Sequence, residues 1–148
     1  MGTNENKEVI RRIANMVNAG EYSGTEELLD EDVVYRSTAG EEVHGRDAML
    51  DLFGSYAEAL SDFQIDLEDI VGEGDVIYVQ YRQTGTHTGE FWGIEPTNNK
   101  TNILITGRVK FQNGKVVEQH DTFDTLELLK QLDALPEEVE TQLPQPRA

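Results

Sequence analysis

The chain has 148 residues, of which 29 are acidic and 12 are basic, so its formal net charge is −17 at pH 7. Such a charge repels nucleic acids and anionic membranes over most of the surface, and we expect neither as a partner. Because there is no cysteine, disulfides, thiol nucleophiles and thiolate metal sites are excluded. The length predicts a single domain, assigned to residues 1–136, followed by a polar tail at 137–148 that we expect to be mobile.

The acidic residues fall mostly between apolar positions, as expected for a solvated coat. That coat fits adaptation to high salt, where counter-ions screen the repulsion, and equally fits an ordinary acidic cytosolic protein. No stretch approaches the roughly 20 consecutive apolar residues of a membrane-spanning helix. The first residues, MGTNENKEVIRRI, lack the apolar core of a secretion signal, so we expect a cytoplasmic protein.

Helical patterns dominate the beginning of the chain. Apolar residues recur at helical spacing over residues 5–18, and a short second helix is expected at 24–29. A brief strand follows at 33–36. After Gly45, apolar residues at helical spacing predict a longer helix that ends near Leu60.

Strand patterns dominate the rest. Strands are predicted at 63–71, 76–87, 101–112 and 115–124, followed by a closing helix at 125–132. Helices followed by a run of long strands predict an α+β fold in which the helices cover one face of a curved antiparallel sheet. Such a fold tends to leave a cavity between sheet and helices, and that cavity is the expected functional site.

Asn113-Gly114 is a strong signal for a two-residue hairpin turn between the last two strands. Continuous pairing from that turn places Gly107 opposite His120 and Asp124 beside Ile103. The predicted inner face of the last strand then carries Val116, Glu118, His120, Thr122 and Asp124. There the apolar neighbours would raise the pKa of the Asp124 carboxyl towards neutrality. The alternative is that Asp124 caps the following helix and that His120 is an ordinary core histidine.

Four segments carry a family resemblance: GTHTGEF at 85–91, GIEPT at 93–97, GKVVE at 114–118, and Asp124, which lies seven residues before Gln131-Leu132. Their order and spacing, together with the helix order over roughly residues 5–136, resemble the SnoaL-like polyketide cyclases. These proteins, also called ester cyclases, belong to the nuclear-transport-factor-2-like (NTF2-like) superfamily.

The resemblance implies a cone-shaped α+β barrel and an intramolecular aldol cyclisation that needs no cofactor. In that reaction an aspartate near the end of the last long strand acts as acid and base. Asp124 matches that aspartate best, and Asp121 replaces it if the alignment slips. Asp124 would remove a proton α to a carbonyl, and His120 or His87 would donate to the developing enolate oxygen.

Aromatic residues can line an apolar pocket for a small hydrophobic substrate, although core packing would explain each of them as well. The candidates are Tyr35, Tyr56, Tyr81, Phe91 and Trp92. Phe91 and Trp92, in a loop between Gly89 and Gly93, are the candidates for a lid.

A metal site is not favoured. His44, His87, His120 and Glu118 offer the ligands of a two-histidine, one-carboxylate site, but no HxH or HExxH spacing is present. We therefore expect neither a metal nor another cofactor.

Two non-enzymatic functions stay open beside the cyclase or isomerase hypothesis: a small-molecule binding module, and a dimeric interaction domain with a vestigial pocket. The predicted outer face of the hairpin exposes Leu104, Val117 and Phe123, and we expect a homodimer to form through it.

Overall fold

The structure is a computed structural model that describes residues 2–144. Its helices are α1 (Thr3–Asn18), α2 (Arg46–Ala59), α3 (Thr125–Gln131) and α4 (Glu137–Glu140), and a short 3-10 helix covers Tyr22–Leu28. Its strands are β1 (Leu29–Ser37), β2 (Glu42–His44), β3 (Leu60–Glu73), β4 (Val76–His87), β5 (Lys100–Gln112) and β6 (Lys115–Thr122). Within the predicted tail, α4 is formed, and residues 145–148 lie outside the described residues.

The strands form one curved sheet in the order β2-β1-β6-β5-β4-β3, so the predicted α+β class is confirmed. The sheet does not close, because β2 and β3 lie at its two edges. Neighbouring strands are antiparallel except β1 and β6, which are parallel. The wholly antiparallel sheet predicted from the sequence was wrong at this pair. β1 is also longer than the predicted strand at 33–36, and it lies beside the last strand of the sheet.

Helices α1 and α2 cover the inner face of the sheet, and the core lies between them. Helix α1 buries its apolar stripe of Val9, Ile10, Ala14 and Val17, which is the helical pattern that predicted it. Helix α2 buries Met49, Tyr56 and Ala59. The most deeply buried large side chains of the sheet include Tyr35, Ile77 and Phe111.

The predicted hairpin turn is confirmed at Asn113-Gly114. Both residues have positive φ angles, 53° and 77°, as the turn that matches strand twist requires. The predicted register holds only for the first pairs. Phe111 pairs with Val116, but Lys110 pairs with Glu118, so Val117 is an extra residue and forms a β-bulge.

The bulge reverses the two faces of β6 beyond Val117, because a shift of one residue moves every side chain to the opposite face. Gly107 pairs with Asp121 instead of His120. His120 and Asp124 are exposed, whereas Asp121 is buried and Phe123 is half-buried. The predicted inner positions of His120 and Asp124 were therefore wrong, and so was the outer position of Phe123.

None of the helices within residues 2–144 is long and apolar enough to cross a membrane.

Candidate functional site

The site is centred on Asp121, whose side chain points into the interior from β6. Only 2% of the residue is exposed. Its partner on β5 is Gly107, and a Cβ atom at that position would lie 2.8 Å from Asp121 Oδ1. Real Cβ atoms essentially never approach that closely, so the glycine provides the space that the carboxyl group occupies.

Three side chains donate hydrogen bonds to the Asp121 carboxylate. The hydroxyls of Tyr35 and Tyr81 both donate to Oδ2, at 3.0 and 2.9 Å. Gln119 Nε2 lies 3.1 Å from Oδ1 and 3.2 Å from Oδ2. The donors come from β1, β4 and β6, so the curvature of the sheet brings distant segments together around one carboxyl group.

Burial raises the pKa of Asp121, because the charged form loses its hydration. The hydrogen bonds from Gln119, Tyr81 and Tyr35 oppose this effect, whereas the negative charge of Glu41 adds to it. The net direction is upward. Burial likewise raises the pKa values of Tyr35 and Tyr81, so both phenols stay neutral hydrogen-bond donors at physiological pH.

A second carboxylate lies near the first. Glu41 is half-buried in the turn between β1 and β2. Its Oε2 accepts a hydrogen bond from the hydroxyl of Tyr56, and its Oε1 accepts one from Ser37 Oγ at 2.8 Å. Burial and the bond to Glu41 raise the pKa of Tyr56. The site thus contains two carboxylates of unequal burial.

Two cavities adjoin this network. The smaller, about 20 Å³, has Asp121, Tyr35, Tyr56, Phe91 and Trp92 in its wall. The larger, about 90 Å³, lies between α1 and the inner face of the sheet. Apart from Tyr22, Tyr81, Gln83 and Gln119, its lining is apolar.

Phe53 and Gln83 belong to both linings, so these two side chains separate the cavities. Phe53 also begins a row of aromatic contacts that leads outward. Its ring is 5.1 Å from that of Tyr35 and 6.0 Å from that of Tyr56. Phe91 lies 5.7 Å from Tyr56, and Trp92 stacks on Phe91 at 4.7 Å.

The family model for the SnoaL-like polyketide cyclases matches residues 7–132. The chain belongs to this family. No curated protein matches the sequence.

Solved structures of similar proteins share the fold of this chain. AclR from Streptomyces galilaeus, described as a presumed hydroxylase, is 29% identical with a TM-score of 0.79, and the match covers 90% of this chain and 98% of AclR. IdmH from Streptomyces antibioticus, described as a presumed polyketide cyclase, is 25% identical with a TM-score of 0.74, and the match covers 86% and 98%.

A third structure, from Jannaschia sp. CCS1 and described as a presumed SnoaL-like polyketide cyclase, shares the fold. Its TM-score is 0.82 at 20% identity, and the match covers 90% of this chain and 94% of that one. The NTF2-like fold predicted from the sequence is confirmed.

In this member of the SnoaL-like family, Asp124 is the N-cap of α3. Its carboxylate accepts a hydrogen bond from the backbone N–H of Glu127 at 3.0 Å, and the side chain is exposed. His120 is exposed on the outer face of the sheet. The structure therefore brings neither residue to the cavity, and the capping alternative describes the position of Asp124.

His87 is fully buried, but neither cavity has it in its lining. Its Nδ1 accepts a hydrogen bond from the backbone N–H of Thr97 at 3.2 Å and lies 2.9 Å from the Thr97 hydroxyl. Its Nε2 has no partner among the described residues. Accepting from a backbone N–H leaves Nδ1 unprotonated, so the imidazole is held as the tautomer with its proton on Nε2.

The aromatic residues named from the sequence lie close to the site. Tyr35, Tyr56, Phe91 and Trp92 are in the wall of the smaller cavity, and Tyr81 is in the wall of the larger one. The four candidate metal ligands do not come together, since no group of three or more potential ligands forms within residues 2–144.

Sequence reasoning missed Gln119 and Glu41. Gln119, like Asp121, falls outside the predicted inner face of the last strand, because the sequence did not reveal the bulge at Val117. Glu41 looked like one more residue of the acidic coat. One signal was available: Gly107 in a strand of otherwise larger residues marks a place where another group approaches closely, and Asp121 is that group.

Proposed function

We propose that the protein is an acid–base enzyme of the cyclase or isomerase type, in which Asp121 acts on a hydrophobic carbonyl compound. One observation carries the proposal: the carboxylate of Asp121 is buried, held by two phenol hydroxyls and an amide, and exposed only to a small cavity beside an apolar one. A carboxylate with a raised pKa is a stronger base than one in water, and its conjugate acid can return the proton.

The reaction conserves protons. Asp121 removes a proton from the carbon α to a carbonyl, and the electron pair of the C–H bond moves to the carbonyl oxygen as an enolate. In a cyclisation the enolate carbon then attacks a second carbonyl of the same molecule, and the new alkoxide takes the proton back from Asp121. In an isomerisation the proton returns to a different carbon.

The tyrosines around Asp121 can act both before and after Asp121 takes the proton. While Asp121 is ionised, the hydroxyls of Tyr35 and Tyr81 stabilise its charge. Once Asp121 has taken the proton, the negative charge lies on the substrate oxygen, and the hydroxyls are free to turn towards it. Such donors stabilise a developing oxyanion most effectively in a site that excludes water.

The substrate class follows from the lining of the cavities. The larger cavity, at about 90 Å³, is small beside ligand pockets, which typically measure about 300–1,000 Å³. Movement of Phe53 and Gln83 would join it to the cavity at Asp121. The joined space suits an apolar, polyketide-like carbonyl compound. The descriptions of IdmH and the Jannaschia protein support this substrate class.

Isomerisation of a bicyclic β,γ-unsaturated ketone to its conjugated form, followed by ultraviolet absorbance, tests the proposal. Asp121→Asn keeps the size of the side chain. Its amide oxygen can accept from both tyrosines, and a flipped Gln119 amide can face its NH2 group. We expect the rate to fall by about 10²-fold or more.

Asp124→Asn is the matched control, since it makes the same chemical change in an exposed helix cap three residues away. It should leave the rate unchanged. If the parent binds the ketone without isomerising it, the small-molecule binding module becomes the better description. If Asp121→Asn is as fast as the parent, Asp121 is not the base.

A further inference from the structure

Glu41 is held in a way that its neighbours in the acidic coat are not. The turn that carries it is closed by a hydrogen bond from the backbone N–H of Ser37 to the carbonyl of Glu41, at 3.0 Å. Ser37 Oγ and the hydroxyl of Tyr56 fix its two carboxylate oxygens. Glu42, the next residue, is exposed and pairs with Arg36 instead. Glu41 thus points towards the interior and Glu42 towards solvent.

A row of hydroxyl groups connects Glu41 to Asp121. Tyr56 donates to Glu41, and its side chain lines the same small cavity as those of Tyr35 and Asp121. Tyr35 in turn donates to Asp121 Oδ2 at 3.0 Å. Each link joins groups that can both give and accept a proton. The row starts at a carboxyl group that is 2% exposed and ends at one that is half-buried.

Burial poses a problem for Asp121 as a base, because a carboxyl group so well covered exchanges its proton with water slowly. The amide of Gln119 cannot carry the proton away, since it would have to lose one of its own N–H protons. The Tyr35 hydroxyl offers the proton a route towards Tyr56 and then to Glu41.

We propose that Glu41 is the solvent-side end of a proton relay, through Tyr56 and Tyr35, that exchanges the proton of Asp121 with water. The inference rests on the proposed function, because it assumes that Asp121 takes up a proton in each turnover. It makes Glu41 a positioning and relay residue: Glu41 acts on the reaction only through the two tyrosines.

The relay moves one proton in total. When Asp121 is protonated, the Tyr35 hydroxyl turns its hydrogen towards Tyr56. The Asp121 proton then passes to the Tyr35 oxygen, the Tyr35 proton passes to the Tyr56 oxygen, and the Tyr56 proton passes to Glu41 Oε2. Asp121 ends ionised, both tyrosines end neutral, and Glu41 releases its proton to water. The reverse sequence delivers a proton to Asp121.

Isomerisation of the bicyclic β,γ-unsaturated ketone in D2O separates the relay from the chemical step. Asp121 can carry the α-proton directly to the γ-carbon, and the product then contains no deuterium. If the relay exchanges the proton first, the product contains deuterium at the γ-carbon. Mass spectrometry of the product at low conversion, corrected for exchange without enzyme, gives the deuterium content per molecule isomerised.

We expect deuterium in the product of the parent, and several-fold less of it in the products of Glu41→Gln and Tyr56→Phe. Glutamine can still accept from Tyr56 but cannot take up a proton. Phenylalanine keeps the ring that packs against Phe53 and Phe91. Glu42→Gln is the matched control and should give the deuterium content of the parent. A merely structural role of Glu41 would lower the rate without changing this ratio.

Four outcomes would overturn the relay. If the parent does not isomerise the ketone, the proposed function is wrong and the relay is wrong with it. If the parent isomerises the ketone without incorporating deuterium, Asp121 exchanges no proton during turnover. If Glu41→Gln and Glu42→Gln give equal deuterium contents, only the relay is wrong. If Glu41→Gln loses deuterium but Tyr56→Phe does not, the proton does not travel through Tyr56.

Discussion

Gly107→Ala tests the geometry of the site without altering a polar group. Gly107 lies in β5 directly opposite Asp121. A Cβ atom there would be 2.8 Å from Asp121 Oδ1 and 3.3 Å from Val79 Cγ1. The first distance is too short for any contact, so the carboxylate must move. The second demands a smaller shift of Val79.

The expected change in the free energy of unfolding is the sum of two opposing effects. Inserting a methyl group into a packed interior costs about 1–3 kcal/mol. Replacing glycine by alanine in a strand offsets about 0.5–1 kcal/mol of this cost, because alanine loses less conformational freedom on folding than glycine does. We expect a net loss of about 1–2 kcal/mol, which lowers the melting temperature by about 2–8 °C for a chain of this size. Isomerisation should slow as well, because Asp121 leaves its hydrogen bonds.

Calorimetry on four variants isolates the cause. In an Asp121→Ala background, which removes the Oδ1 atom, Gly107→Ala should be neutral or slightly stabilising. Gly54→Ala, in α2 with no atom within 4 Å of the added Cβ, should stabilise by about 1 kcal/mol. Equal losses for Gly107→Ala with and without Asp121 would refute the reasoning, because the clash would then lie elsewhere.

Three further predictions concern the cap, the surface charge and the assembly. In denaturant unfolding, Asp124→Ala should lower the stability by about 1 kcal/mol. Asp124→Asn should change it little, because asparagine caps a helix nearly as well as aspartate. An equally large loss of stability in Asp124→Asn would contradict the capping role. The melting temperature should rise up to about 1 M potassium chloride, where screening acts over about 3 Å; a flat or falling trend would show that repulsion among the 29 acidic residues is not limiting. We expect a homodimer through the outer face of the sheet, where Leu104 is 39% exposed, and sedimentation of monomers alone at micromolar concentration in low and high salt would contradict it.

The sequence predicted local features of the fold well. The turn at Asn113-Gly114 depends on two residues that tolerate positive φ, and helix α1 depends on the spacing of its own apolar residues. Both signals lie within a short stretch of chain. The parallel pairing of β1 with β6 joins segments almost ninety residues apart, and a local pattern carries no such information.

The candidate site could be predicted only in part. Asp121 was a named alternative to Asp124, and the choice depended on one bulge. Neither Val116 nor Val117 marks an irregular position, so the sequence did not reveal that a residue leaves the ladder here. Glu41 belongs to the site only because Tyr56 of α2 reaches it. Such contacts are set by tertiary packing, and hydrophobic patterning does not report them.

The pH dependence of kcat/KM for isomerisation tests most directly whether Asp121 is the base. A base must be ionised to act, so the rate should rise as the pH rises through the pKa of Asp121 and then level off. Because burial raises that pKa, the midpoint should lie above the value of about 4 for an ordinary aspartate. Asp121→Asn should lose this limb of the profile while Asp124→Asn keeps it. A limb near pH 4 that persists in Asp121→Asn would contradict the account.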